Sequence, residues 1–406
     1  MAVSRRTMLT ALPALAGLSS LPATSLSAAA QAAGDPLGAR KDFPVADTVL
    51  SLNAAYITPS PLQVAAVGRA FADAKTQAPI VLGDMLRKTE EVRAQYARLI
   101  NASADEVAFL SATSEGENVI ARSLGLTRGD NVVIDELHYE SEFVLYSELA
   151  KSTGVELRIA KAVGGAVTVK QLEPLVNRRT KLVSVAWVSH QNGFRHDMRA
   201  IADLAHAHGA FCYTDGIQAV GMFPVNVQAS GVDAMCIGTY KWVLGSYGVA
   251  PFYVRREALP RVTVDRYGWR HVEKTLGPTD FRIYQTAKKF DYATPAFGPI
   301  YQLGAGLEYI TKVGVDRIET HTVALAHRLQ KGLRTLGFDV LTPDGNRSSI
   351  VAFKVTKAAD AITKHLADTK TSVSVRENGT QIRVSPALFN TDADIDRFLT
   401  VAEGLK

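Results

Sequence analysis

Between residues 107 and 256, short β-branched runs alternate with stretches of helical character, and this limits the fold more than any other feature of the chain. The runs are Val107–Leu110, Asn131–Ile134, Glu156–Ala160, Lys181–Ser189, Ala210–Thr214, Ala234–Tyr240 and Val249–Val254. Helical patterns at Glu115–Leu124, Glu140–Lys151, Val169–Val176 and Met198–His208 separate most of them. Strand–helix alternation gives a parallel sheet covered on both faces. The runs are almost continuously apolar, as strands buried on both sides must be. The expectation is an α/β domain on a mainly parallel, seven-stranded sheet.

The pattern changes after Phe290. A helix is expected over Val315–Leu336, with Ile318, Leu325, Leu329, Leu333 and Leu336 on one face and Gly337 ending it. A strand (Ser349–Val355), a helix (Asp360–Asp368), two short strands (Ser372–Arg376 and Gln381–Val384) and a helix from about Ala393 follow. These describe a smaller α+β domain. The expected organisation is a leader over 1–33, an N-terminal segment over 34–60 joining the small domain, a large domain over 61–298, and the small domain over 299–406.

Ser4-Arg5-Arg6-Thr7 precedes an apolar stretch from Leu12 to Leu21, and no charge follows until Asp35. Paired arginines, a modest apolar core and a small-residue tail make a twin-arginine export signal. The apolar core is too short for a membrane span. The mature protein is therefore expected to be periplasmic or secreted, delivered by the twin-arginine machinery and without a membrane span. The formal charge of +5 becomes +3 without Arg5 and Arg6, too little for a nucleic-acid footprint. Cys212 and Cys236, both in apolar stretches, are too few for a disulfide framework or a zinc ribbon, so no metal site is expected.

Two clusters carry chemistry. Tyr213-Thr214-Asp215-Gly216-Ile217-Gln218 starts at the carboxyl end of an expected buried strand, where open α/β sheets bind ligands. Gly238-Thr239-Tyr240-Lys241-Trp242 follows the next strand, with Lys241 26 residues after Asp215. Aromatic neighbours desolvate Lys241 and lower its pKa, which frees an amine to attack an aldehyde. A Schiff-base lysine and an acid partner for a pyridine nitrogen are what pyridoxal phosphate requires of a protein. Gln218 stands where it reaches the ring's O3′.

Tyr-Thr-Asp-Gly-Ile-Gln-Ala-Val followed by Gly-Thr-Tyr-Lys-Trp resembles the class V aminotransferase family, which includes cysteine desulfurases, kynureninases and isopenicillin-N-epimerase-like proteins. The resemblance runs from about Leu52 to the C-terminus. It implies a fold-type-I pyridoxal-phosphate enzyme, normally a homodimer. It also implies that Ser111-Ala112-Thr113-Ser114-Glu115 is the phosphate loop opening a helix, with Thr113 and Ser114 at the cofactor and Ser114 as N-cap; the family usually has Gly at Ala112. Tyr139 matches the aromatic that stacks on the ring, and His190 takes a position often held by Asn near O3′. Thr239 and Tyr240 match phosphate-binding positions. Thr294, in Asp-Tyr-Ala-Thr-Pro, reaches the phosphate of the neighbouring subunit, although Ala293 replaces the usual Gly. Arg383, in Gln-Ile-Arg-Val-Ser-Pro, binds the substrate α-carboxylate.

The resemblance leaves transamination, epimerisation and C–S or C–C lysis open. Desulfurases carry a nucleophilic cysteine just before the carboxylate-binding Arg. Here Ser374–Thr380 has none. All the remaining reactions act on a substrate bearing an amino group, an amino acid or that part of a peptide or secreted metabolite, through an external aldimine with Lys241 as general base. A non-catalytic scaffold is disfavoured by Lys241, Asp215, Gln218 and Arg383 standing together. A nicotinamide oxidoreductase is disfavoured because no Gly-x-Gly-x-x-Gly follows the early strands.

Overall fold

A computed structural model describes residues 34–406. The expected export signal, over residues 1–33, lies outside the described residues.

Seven strands form the central sheet: β1 (Val107–Leu110), β2 (Asn131–Asp135), β3 (Glu156–Ala160), β4 (Thr180–Ala186), β5 (Phe211–Asp215), β6 (Ala234–Cys236) and β7 (Ala250–Val254). Their spatial order is β1-β7-β6-β5-β4-β2-β3. All neighbours pair in parallel except β7, which runs antiparallel to both β1 and β6. Successive residues of a strand point to opposite faces, and the core divides accordingly. Val133, Cys212, Met235 and Tyr253 belong to one buried cluster. Their chain neighbours Val132, Ile134, Phe211, Tyr213, Ala234, Phe252 and Val254 belong to the other.

Helices cover both faces. α1 (Leu62–Gln77) and α2 (Leu82–Leu99) precede the sheet, and α3 (Thr113–Ser123), α4 (Glu140–Thr153) and α5 (Met198–Ala207) connect its strands. α2 and α5 bury Val92, Tyr96, Ile201 and Ala205 on one face. α3 and α4 bury Val119, Ile120 and Tyr146 on the other. α6 (Phe297–Val313) packs back on α1 and α2, where Gly304 meets the Val92 side chain and Gly298 meets Phe71.

The small domain contains α7 (Val315–Thr335), β8 (Val351–Lys354), α8 (Ala359–Asp368), β9 (Ser374–Arg376), β10 (Gln381–Val384) and α9 (Asp392–Glu403). β10 is the centre of an antiparallel sheet with β8 and β9 on either side. Leu50–Ser51 pairs in parallel with Thr371–Ser372, and Leu50 and Leu52 join the small domain's core. Gly337 takes φ +86° just past the C-cap of α7, a left-handed position that favours glycine.

Three segments differ from the sequence reading. Val169–Val176 is one α-turn followed by a 3-10 turn over Glu173–Leu175, because Pro174 removes an N–H donor. The run Lys181–Ser189 leaves the sheet at Ala186, and Ala234–Tyr240 leaves it at Cys236. In each case the apolar residues continue past the strand because the loop they enter is itself buried. No helix among the described residues is long and apolar enough to cross a membrane.

Candidate active site

Asp215 ends β5 at the carboxyl edge of the sheet, level with Ala186 of β4 and Cys236 of β6. The chain leaving β6 turns at Gly238, and the amide of Gly245 closes the following loop on the carbonyl of Thr239 at 2.8 Å. Within that loop Leu244 holds φ +62°, a strained value for a branched side chain. The loop returns Lys241 over the strand ends. A cavity of about 270 Å3 opens there, lined by Lys241, Asp215, Gln218, Tyr139, His190 and Tyr240, with Thr113 and Ser114 on its floor.

Lys241 is 9% exposed. Burial pushes its pKa down to about 7; Asp215 opposes the shift, and Arg383 and Arg376 add to it. Burial in turn pushes Asp215 up, against the Ile217 amide that donates to Oδ1 at 2.8 Å. The Gln218 side chain is fixed at both ends: Nε2 donates to the Ala55 carbonyl at 2.9 Å, and Oε1 accepts from Trp242 Nε1 at 2.7 Å. Tyr139 is 44% exposed, and its ring lies edge-on to His190 with centroids 5.1 Å apart. The Tyr240 and Tyr247 rings stack at 4.5 Å on the same wall.

Burial pushes His190 down to about 4, so its ring is neutral at ordinary pH. Arg376 Nη2 lies 3.1 Å from His190 Nε2. The same Nε2 lies 3.4 Å from Glu140 Oε1, so one ring nitrogen faces both a guanidinium, which only donates, and a carboxylate, which only accepts. Nδ1 is buried and without a hydrogen-bond partner among the described residues. Arg383 is 2% exposed; Nη1 donates to the His190 carbonyl at 2.7 Å and Nη2 to Ser374 Oγ at 3.0 Å. Both acceptors are neutral, so among the described residues this buried positive charge has no carboxylate partner; it adjoins the cavity-lining His190 and is not itself part of the lining.

A family model for class-V aminotransferases matches residues 71–398. The chain belongs to the class V aminotransferase family. A probable cysteine desulfurase of Methanothermobacter thermautotrophicus is 27% identical over 379 residues, spanning 88% of this chain and 94% of that protein. The cysteine desulfurase of Thermococcus onnurineus has the same fold, with a TM-score of 0.84 at 24% identity over 91% of this chain and 98% of its own. The cystine C–S lyase C-DES, solved with its product cysteine persulfide, superposes with a TM-score of 0.82 at 17% identity, covering 89% of this chain and 99% of its own.

Pyridoxal phosphate is the cofactor of this class V fold, and the residues present fit it. A Cβ at Gly238 would lie 2.8 Å from Ile217 Cδ1 and 2.9 Å from Tyr240 Cε1, so a side chain there would push on two cavity-lining residues. The buried Nδ1 of His190, a residue lining the cavity, has no hydrogen-bond partner among the described residues. The start of α3 contributes amides and a positive dipole end suited to a phosphate dianion.

Three expected site residues stand differently from the sequence reading. Ser114 is not the N-cap of α3. Ala112 is, at φ −151°, an extended conformation that needs no glycine; Ser114 Oγ instead lies 3.1 Å from Ser141 Oγ. The Thr239 hydroxyl bonds the carbonyls of Ser246 and, at 3.1 Å, Val249, so it braces the lysine loop from behind the cavity wall. Thr294 is exposed and lines a neighbouring cavity of about 170 Å3 with Tyr292 and Glu115. Sequence reasoning missed Arg376, Glu140 and Tyr247. It also missed Glu117 and Glu142, a buried acid pair behind Asp215.

Proposed function

We propose that the protein is an exported pyridoxal-phosphate enzyme that moves an amino group on a small amine, either a free amino acid or that part of a peptide or secreted metabolite. The reading is carried by one observation: a buried lysine with a depressed pKa shares a cavity with a buried carboxylate at the end of a parallel strand. Bound pyridoxal phosphate supplies an electron sink for the substrate's α-carbon. With pyridoxal phosphate bound, Lys241 Nζ would be the residue that holds it and, with its lowered pKa, the base available to the α-proton. Asp215 keeps the ring nitrogen protonated. His190, whose buried Nδ1 has no partner among the described residues, and Gln218, fixed between Ala55 and Trp242, would line the bound cofactor. Arg383 pairs with the α-carboxylate through its planar fork. Export rests on the leader, and a homodimer rests on Thr294, whose exposed hydroxyl fits a role in a neighbouring subunit's site.

C–S lysis is the second reading, favoured by the desulfurase and lyase relatives. A persulfide route is disfavoured. Ser374–Thr380 lacks cysteine, and both thiols are buried with their pKa values pushed up by burial, away from the thiolate form. The two readings separate when the purified enzyme is given amino acids with and without 2-oxo acid acceptors. Transfer predicts products only with an acceptor. Sulfide or pyruvate released from cysteine or cystine without an acceptor would replace it by lysis. Cell fractionation with an Arg5→Lys/Arg6→Lys leader tests export, which predicts loss of the protein from the periplasm.

A further inference from the structure

The small sheet carries a second guanidinium next to the cavity-lining His190. Ser374 and Arg376 of β9 and Gln381 and Arg383 of β10 are paired in register, Ser374 with Arg383 and Arg376 with Gln381, so all four lie on one face. That face docks on the His190 loop. Gln381 Nε2 donates to the Gln191 carbonyl at 2.9 Å, Arg383 to the His190 carbonyl, and Arg376 to the His190 ring. The two guanidiniums therefore flank the same cavity-lining residue. The Nε atoms of both arginines are buried and without a hydrogen-bond partner among the described residues. Among the described residues Arg383 meets only neutral acceptors, whereas Arg376 pairs with Glu140, whose side chain is 60% exposed. Glu140 also contacts His190 Nε2, and that bond and Arg376 help hold its pKa down to about 2, so an incoming carboxylate has to displace a half-exposed Glu140 from both partners.

We infer that Arg376 recognises a second acid group, so that the substrate is an amine carrying two carboxylates, one on Arg383 and the other on Arg376 in place of Glu140. The inference rests on reading Lys241 and Arg383 as an amino-acid site. Its chemistry is already present in the structure, because a carboxylate from within the chain bonds Arg376 Nη2. The competing account is that Arg376 and Glu140 only bolt the small domain to α4.

Calorimetric titration of the cofactor-loaded protein with L-glutamate and L-glutamine separates the two accounts. Wild type should bind glutamate about ten-fold or more tightly than glutamine. Arg376→Gln should bring that ratio close to one, and Arg376→Lys should give an intermediate ratio. Glu140→Gln should tighten glutamate binding, because it removes the internal competitor. A bolt predicts the same sign for Arg376→Gln and Glu140→Gln, with both amino acids weakened alike; that result, or a wild type indifferent to glutamate over glutamine, overturns the inference. Titration with glutarate, which has no amine, reads the two arginines without the cofactor's chemistry. Glutarate binding that is lost in Arg376→Gln supports the second acid site even in a protein that takes up no cofactor, so failure of the enzyme reading is seen separately. Absence of glutarate binding in wild type counts against the pair. Thermal unfolding of each variant confirms that it folds.

Discussion

Lys241 and Arg383 are buried cations whose surroundings disfavour charge in one case and invite an anion in the other. The amine of Lys241 attacks an aldehyde only when neutral, and its pKa is pushed down to about 7. The rate of cofactor uptake by the cofactor-free protein should therefore rise with pH up to about 7 and then level off. An ordinary lysine would keep the rate climbing toward pH 10. Stopped-flow absorbance against pH checks this, and a rate still rising at pH 9 would count against it. For Arg383, which meets only neutral acceptors among the described residues, Arg383→Gln should raise KM for amino acids by about ten-fold or more with a smaller effect on kcat, as measured by steady-state kinetics. Asp215 and Gln218 stood out because they follow an apolar strand, whereas Tyr139 and His190 came from the family resemblance; all four line one cavity. Arg376 was legible in principle, since polar Ser374, Arg376, Gln381 and Arg383 alternate with apolar Val373, Val375, Ile382 and Val384. What one sequence does not give is the strand register that turns this alternation into a single polar face.

At the scale of elements, the central strands followed the apolar pattern, and apart from the Pro174-broken Val169–Val176 the differences fell where the chain leaves the sheet to build the site. An apolar run marks burial, but it does not distinguish a ladder from a buried loop. Ile237 still donates to the Pro251 carbonyl at 3.1 Å, yet Gly238 starts the turn that brings Lys241 back. The segment bearing Thr294 is anchored in a way the sequence hid. Arg93 of α2, fully buried, pairs with Asp291 at 2.5 Å and donates to the Val107 carbonyl at 2.6 Å, while the second oxygen of Asp291 accepts from the Phe109 amide. Two residues 198 positions apart thus tie α2, β1 and this loop together. Asp291→Ala strands a buried guanidinium and should cost about 3 kcal/mol of stability, measured by denaturant unfolding. A loss below about 1 kcal/mol would mean that Glu90, also paired with Arg93, is a sufficient partner.

Across the whole molecule, the two faces of the sheet and the α+β small domain followed from periodicity alone, whereas the buried ionisable groups behind the site did not. Glu142 lies against Glu117 and Asp215, and burial pushes its pKa up to about 7. A carboxyl with a raised folded-state pKa binds a proton that the unfolded chain has lost. Its contribution to stability is therefore present below the ordinary pKa near 4 and is lost as pH rises toward 7. Glu142→Gln, which removes this titration, should leave the melting temperature of the cofactor-free protein unchanged near pH 4.5 and raise it by a few degrees above pH 7. A variant less stable than wild type at pH 8 would show that Glu142 is held as a partnered anion instead. All of this surrounds one claim, that Lys241 carries the cofactor. The most direct test is to load the purified protein with pyridoxal phosphate, reduce it with borohydride and map the adduct by peptide mass spectrometry. The account predicts a pyridoxyl-phosphate mass on the peptide containing Lys241, and no adduct together with no visible absorbance band in Lys241→Ala. An adduct on another lysine, or none on wild type, would contradict it.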